Sequence, residues 1–137
     1  MKIGLDTNVL ISGMINPYGA PGKIVDAMRN GEVCLVIDDR ILAEYSAVLR
    51  RDAFTMYFDA EARQDILEYL SRNSHYTVSR AIVTNLPDPG DAPFLEIALT
   101  EKVILVTGNL KHFPEVSRRE ADVLSPAEFV RTILDSH

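Results

Sequence analysis

Asp6, Glu44 and Asp91 are acids widely separated in the chain, each placed at the end or the edge of an apolar run. Asp88 precedes Asp91 by one turn, and Asn109 follows another apolar run with an amide oxygen to offer. Carboxylates brought together repel and push one another's pKa up, a conflict that a hard divalent cation removes. Oxygen ligands with no nearby histidine or cysteine favour Mg²⁺ or Mn²⁺ over zinc. Such an ion polarises a phosphodiester oxygen, lowers the pKa of a water and stabilises a leaving oxygen, so no histidine base is required. Each residue also has a local reading. Asp6 and Asp91 are preferred helix N-caps, Asp88 in Asp-Pro is a turn former, and so are Asn8 and Thr107. Glu44 at the border of a buried stripe reaches water or pairs with Arg40 or Arg51. His112 reads as a loop residue rather than a ligand.

The elements that must position these groups alternate. Ile3 and Leu5 open a buried strand that Asp6 stops. Val9 to Met14 reads as a short helix, and Asn16-Pro17-Tyr18-Gly19 with Pro21-Gly22 as a break. Lys23 to Arg29 is a second helical piece ending at Asn30-Gly31. Val33 to Ile37 is a β-branched run with the look of a buried parallel strand. Asp38 to Arg51 is a helix burying Ile41, Leu42, Tyr45, Val48 and Leu49, with Asp39, Arg40, Arg50 and Arg51 on its solvated side. A helix from Asp59 to Asn73 is followed by a strand within Tyr76 to Val83. The acidic, proline-rich loop Asn85 to Ala92 runs into a helix starting near Asp91 or Ala92, since Pro93 fits only a first turn. On that helix Asp91, Leu95 and Ala98 point inward, and Glu96 and Thr100 outward. Val103 to Thr107 is the clearest buried strand, Ala121 to Leu124 a last short one. Ser125-Pro126-Ala127-Glu128 is a capping box opening a helix to Leu134. Strand–helix alternation with continuous apolar strands predicts a mostly parallel α/β sandwich.

The 137 residues form one domain, 1–137, with no repeat or linker. The single cysteine, Cys34, excludes an intrachain disulfide and points to a reducing compartment. Its place in an aliphatic run marks it as an inert core thiol. No apolar stretch reaches the roughly 20 residues of a membrane span, and Asp6 and Asn8 interrupt any signal peptide, so the cytoplasm is expected. A net charge of −6 argues against a generic nucleic-acid coating protein. It leaves room for an enzyme that binds one strand locally through a divalent metal.

Four pieces in order carry a resemblance. Leu5-Asp6-Thr7-Asn8-Val9-Leu10, Glu44 in the helix after the second strand, Leu86-Pro87-Asp88-Pro89-Gly90-Asp91-Ala92-Pro93-Phe94-Leu95 and Leu105-Val106-Thr107-Gly108-Asn109 resemble the PIN-domain ribonucleases. Within them the chain is most similar to the small toxins of type II toxin–antitoxin pairs. The resemblance runs nearly end to end and implies a PIN-domain-like three-layer sandwich with a parallel sheet of about five strands. It also implies endoribonuclease cleavage of single-stranded RNA with Mg²⁺ or Mn²⁺. Asp6, Glu44 and Asp91 match the metal-binding acids, with Asn109 and Asp88 as weaker candidates; Asn8 and Thr107 match the polar residues that orient the site. The family often carries paired aspartates where this chain has Gly90-Asp91, and an aspartate where it has Asn109. The second departure removes a charge and implies weaker metal affinity. Arg50, Arg51, Lys111, Arg118 and Arg119 are the cations available to RNA, and Tyr18 could stack a base. The implied partners are a small antitoxin and a second copy of the chain, giving a homodimer.

Other readings stay open. A degenerate PIN protein with Asn109 in the fourth position would bind RNA or a partner without cutting. A phosphoacceptor signalling module would use Asp38-Asp39 after the second strand, but leaves the Asp88-Pro89-Gly90-Asp91 loop without a role. A haloacid-dehalogenase-type phosphatase would need an aspartate where Asn8 stands.

Overall fold

The computed structural model describes residues 1–136. The chain passes through β1 (Lys2–Leu5), α1 (Thr7–Ile15), α2 (Ala20–Arg29), β2 (Cys34–Ile37), α3 (Asp39–Leu49), α4 (Ala60–Asn73) and β3 (His75–Tyr76). It continues through α5 (Ala92–Glu101), β4 (Ile104–Val106), β5 (Val123–Leu124) and α6 (Pro126–Phe129), which runs on as a wider π-type turn over Val130–Leu134. The five strands are all parallel in the order β3-β2-β1-β4-β5. The result is an α/β sandwich. No helix among the described residues is long and apolar enough to cross a membrane.

Ile3, Leu5, Leu35, Val36, Ile37, Leu105 and Val106 are all closed to solvent, so the central strands are covered on both faces. The connections supply the cover: α1 and α2 link β1 to β2, α3 and α4 link β2 to β3, and α5, packed on β1, β2 and β4, leads to β4. Ile97 of α5 lies directly on β1, where a Cβ at Gly4 would come within 3.2 Å of its Cδ1. α1 and α2 touch backbone to backbone. A Cβ at Gly13 would stand 2.3 Å from the Pro21 carbonyl oxygen.

This order places a topological switch between β1 and β4. From β1 the chain winds toward β2 and β3, and from β4 toward β5, so their carboxyl ends open a crevice between helices on opposite faces. The register Leu5↔Val106 sets Asp6 beside Thr107 there.

Local signals account for most boundaries. Asp38 caps α3 through the Ile41 amide at 3.0 Å. Asp59 caps α4 through the Ala62 amide at 2.8 Å. Ser125 and Glu128 form the full capping box. Gly31 takes the left-handed conformation, φ 81°, that ends the region of α2. Cys34 is half-buried at the start of β2, its thiol 3.4 Å from the Asn73 carbonyl.

The strand expected over Tyr76 to Val83 is mostly absent. Only His75–Tyr76 pair with β2, and the chain from Thr77 to Leu86 is irregular. Its backbone finds other partners: Arg80 N–H donates to Thr100 Oγ1 at 2.9 Å and Val83 N–H to Glu96 Oε2 at 2.8 Å. Glu96, expected to face solvent, is therefore buried, and its Oε1 accepts from Arg40 at 2.7 Å. Arg40 also grips Asp38 at 2.7 Å, so this solvent-exposed guanidinium ties the start of α3 to α5. Thr100 is half-buried.

Candidate metal centre

β1 delivers Asp6 to the switch point as its last pleat ends. The backbone of Asp6 starts α1, its carbonyl accepting from Val9 and Leu10. Its side chain does not cap the helix. It accepts instead from Thr107 Oγ1 at 2.7 Å. The carboxyl is buried, and that burial raises its pKa against the opposing pull of the Thr107 hydrogen bond and the Thr7 and Asn8 amides.

Glu44 reaches the same place from α3. It neither drifts into water nor pairs with Arg40 or Arg51, because its Oε2 accepts a short hydrogen bond from Thr7 Oγ1. Next to Glu44 in the chain is Tyr45, fully buried, donating at 2.6 Å to the Leu5 carbonyl. Burial drives its phenol pKa up, and the charges of Asp6 and Glu44 push in the same direction, which places both acids near the ring.

Asp91 comes from the far side, on the turn Pro89–Asp91 that opens α5. It too leaves its helix uncapped. Its Oδ2 is closed to solvent and accepts no hydrogen bond. Burial first, then the charges of Asp6 and Asp88 and, more weakly, Glu44, push its pKa up to about 6, with His112 pulling it down. Asp88 is exposed and holds its own turn through the Gly90 amide at 2.9 Å.

An anionic oxygen shut away without a donor is the arrangement a cation relieves. The oxygen set of Asp6, Glu44 and Asp91 suits a hard divalent ion. One additional group lies against it. His112, read from the sequence as a loop residue, puts its Nδ1 3.0 Å from Asp91 Oδ2. Asp88, Asp91 and His112 each offer a ligand atom, all within 4.8 Å of one another. Where the sequence predicts no histidine near the acids, the structure sets His112 against Asp91. A 3-10 turn over Leu110–His112 brings residue 112 back over residue 109.

Asn109 is exposed, and its carboxamide meets His112 Nε2 at 2.9 Å. Asn8 is exposed on the first turn of α1. It lines a cleft of about 320 Å³ with Asp6, Ser12, Gly108 and Asn109. A larger groove of about 640 Å³ runs between Asp38, Arg40, Glu96 and the Thr77–Ile82 segment and contains none of the expected site residues.

Of the candidate substrate contacts, Lys111 is exposed beside His112, and Tyr18 is 89% exposed in the loop between α1 and α2. Arg50 and Arg51 are exposed where α3 ends. Arg118 and Arg119 are engaged in holding loops, donating to the carbonyls of Phe113 at 2.6 Å and Ile82 at 2.5 Å. Thr7 and Tyr45, which fix Glu44 and the end of β1, were not singled out from the sequence.

The chain is 33% identical over 112 residues to an uncharacterized protein of Methanocaldococcus jannaschii, covering 80% of this chain and 71% of that one. Its fold is similar to a chain of VapBC2 from Rickettsia felis, solved in crystals bound to a DNA fragment from their promoter. That likeness has a TM-score of 0.57 at 17% identity and covers 91% of this chain and 98% of the other. The family model for the PIN domain matches residues 2–111. With that match over most of its length and a parallel five-stranded sheet, this chain belongs to the PIN-domain family.

Proposed function

We propose that this chain is a metal-dependent endoribonuclease that cleaves single-stranded RNA, and that it is the toxin of a toxin–antitoxin pair. The observation that carries the reading is Asp91 Oδ2, a carboxylate oxygen without a donor, closed from solvent and within the field of Asp6, Asp88 and Glu44. Asp6, Glu44 and Asp91 would hold Mg²⁺ or Mn²⁺, with Asp88 at the margin. The ion, when bound, would supply positive charge to the scissile phosphate and acidify the attacking water.

The chain's own residues do the positioning. Thr107 fixes one oxygen of Asp6, and Thr7 fixes one oxygen of Glu44. Tyr45 holds the end of β1 against α3, so the spacing between the two acids does not drift. Asn8 and Gly108 border the cleft through which a strand would enter. Lys111 and Arg50 are exposed cations for the phosphates, and Tyr18 a flat surface for a base.

The likeness in fold to VapBC2, whose structure holds promoter DNA, supports pairing with a small antitoxin. A homodimer in the cytoplasm completes the reading. Asp6→Asn tests it: with Mn²⁺ the purified chain cuts single-stranded RNA, and the variant does not, while its circular dichroism is unchanged. Equal cutting by both proteins would refute the assignment. The second reading, a PIN-fold binding protein without activity, is favoured by Asn109, which brings no charge to the site and whose amide meets His112. Calorimetry without Mn²⁺ binding in the low-millimolar range would select it.

A further inference from the structure

His112 is the group nearest the orphan oxygen of Asp91. Its Nδ1 and Asp91 Oδ2 stand 3.0 Å apart, yet Oδ2 accepts no hydrogen bond, so the two atoms meet without the alignment of a donor and an acceptor. Two ligands in adjacent positions of a six-coordinate ion are separated by about 3 Å, the edge of an octahedron with metal–ligand bonds near 2.1 Å. Asp88 supplies a third atom within 4.8 Å of both. Its Oδ1 is taken by the Gly90 amide, which leaves Oδ2.

The far side of the ring is also provided for. His112 Nε2 faces the Asn109 carboxamide at 2.9 Å. A half-turn of that amide presents Oδ1 to an Nε2–H. A ligating imidazole needs this outer hydrogen bond, because it keeps the proton on one nitrogen and the lone pair on the other.

From this geometry we infer that His112 Nδ1 is a metal ligand beside Asp91 and Asp88, with Asn109 as its positioning residue, and that the site prefers a nitrogen-accepting first-row ion to Mg²⁺. The inference rests on reading the site as a metal centre. Imidazole adds little for magnesium, which takes oxygen, and more for the transition ions. It also gives Asn109 a use that a fourth carboxylate would not need: it orients a neutral ligand and brings no charge.

The test is electron spin-echo envelope modulation of Mn²⁺ bound to the full chain, paired with calorimetry of Mn²⁺ and Mg²⁺. A ¹⁴N coupling of imidazole type is expected. It is lost in His112→Gln, together with about tenfold or more of the Mn²⁺ affinity, while Mg²⁺ binding changes far less. The chain has three histidines, so the coupling must persist when His75 and His137 are both replaced by glutamine. That arm does not depend on the folding of the His112 variant. Bound Mn²⁺ without nitrogen coupling, or equal losses for both ions, overturns the inference and leaves the nuclease reading standing. An absence of Mn²⁺ binding and of RNA cleavage overturns both.

Discussion

Asp91→Asn should make the metal-free protein more stable while removing its response to metal. In the folded chain the Asp91 pKa is pushed up to about 6 from an ordinary 3.8, first by burial and then by Asp6 and Asp88. The native state therefore binds more protons than the unfolded state between those values. Stability falls as pH rises from about 4 to about 6 and stays lowered above that range. A shift of this size corresponds to about 3 kcal/mol. The side chain keeps 14% of its exposure, and water screens part of the repulsion, so about 1–2 kcal/mol is the expected penalty at pH 8. The asparagine variant, uncharged at every pH, should melt about 4–8 °C higher than the parent at pH 8 in chelator. The gain should vanish at pH 4. Added Mn²⁺ should raise the melting temperature of the parent and leave the variant unmoved. A variant that melts at or below the parent at pH 8, or one that keeps its advantage at pH 4, would show that the carboxylate is not held under repulsion.

Tyr45→Phe removes a fully buried donor to the Leu5 carbonyl and should cost about 1–2 kcal/mol in urea denaturation; an unchanged midpoint would refute it. Gly13→Ala would gain about 1 kcal/mol from helix propensity alone. The 2.3 Å approach to Pro21 and 2.5 Å to Val25 should reverse that sign, with a net loss of about 2 kcal/mol or more by the same assay. Glu96→Ala unties both Arg40 and the Val83 amide. Arg40 is half-exposed, so the expected loss is about 2 kcal/mol. Limited proteolysis should cut between Thr77 and Leu86 faster than in the parent, and an unaltered cleavage rate would count against the tether.

What could be read along the chain was what neighbours in sequence decide. Asp6 after Leu5, the capping box at Ser125 and the start of α5 behind Pro93 all follow from residues within one turn of each other. The mistakes involve partners far apart. Tyr76 to Val83 has the β-branched look of a strand, but the Arg80 and Val83 amides are met by Thr100 and Glu96 of α5. Glu96 reads as solvent-facing because its cation, Arg40, lies 56 residues away in the chain. The helix around it is apolar on nearly every side, with Phe94, Leu95, Ile97 and Ala98 all buried, and a charge in such a helix has no outer face to occupy. His112 reads as a loop residue for another reason. A three-residue 3-10 turn has no hydrophobic period to announce which way its last side chain swings.

The bond from Thr107 to Asp6 closes a span of 101 residues. Translation at 5–20 residues per second separates the emergence of these two side chains by roughly 5–20 s. Throughout that interval the first strand lacks β4 at its flank and Asp6 lacks the Thr107 hydroxyl. On the proposed function, a nascent chain still tethered to the ribosome is harmless to the message that encodes it. Activity begins only after the C-terminal third has been released to fold.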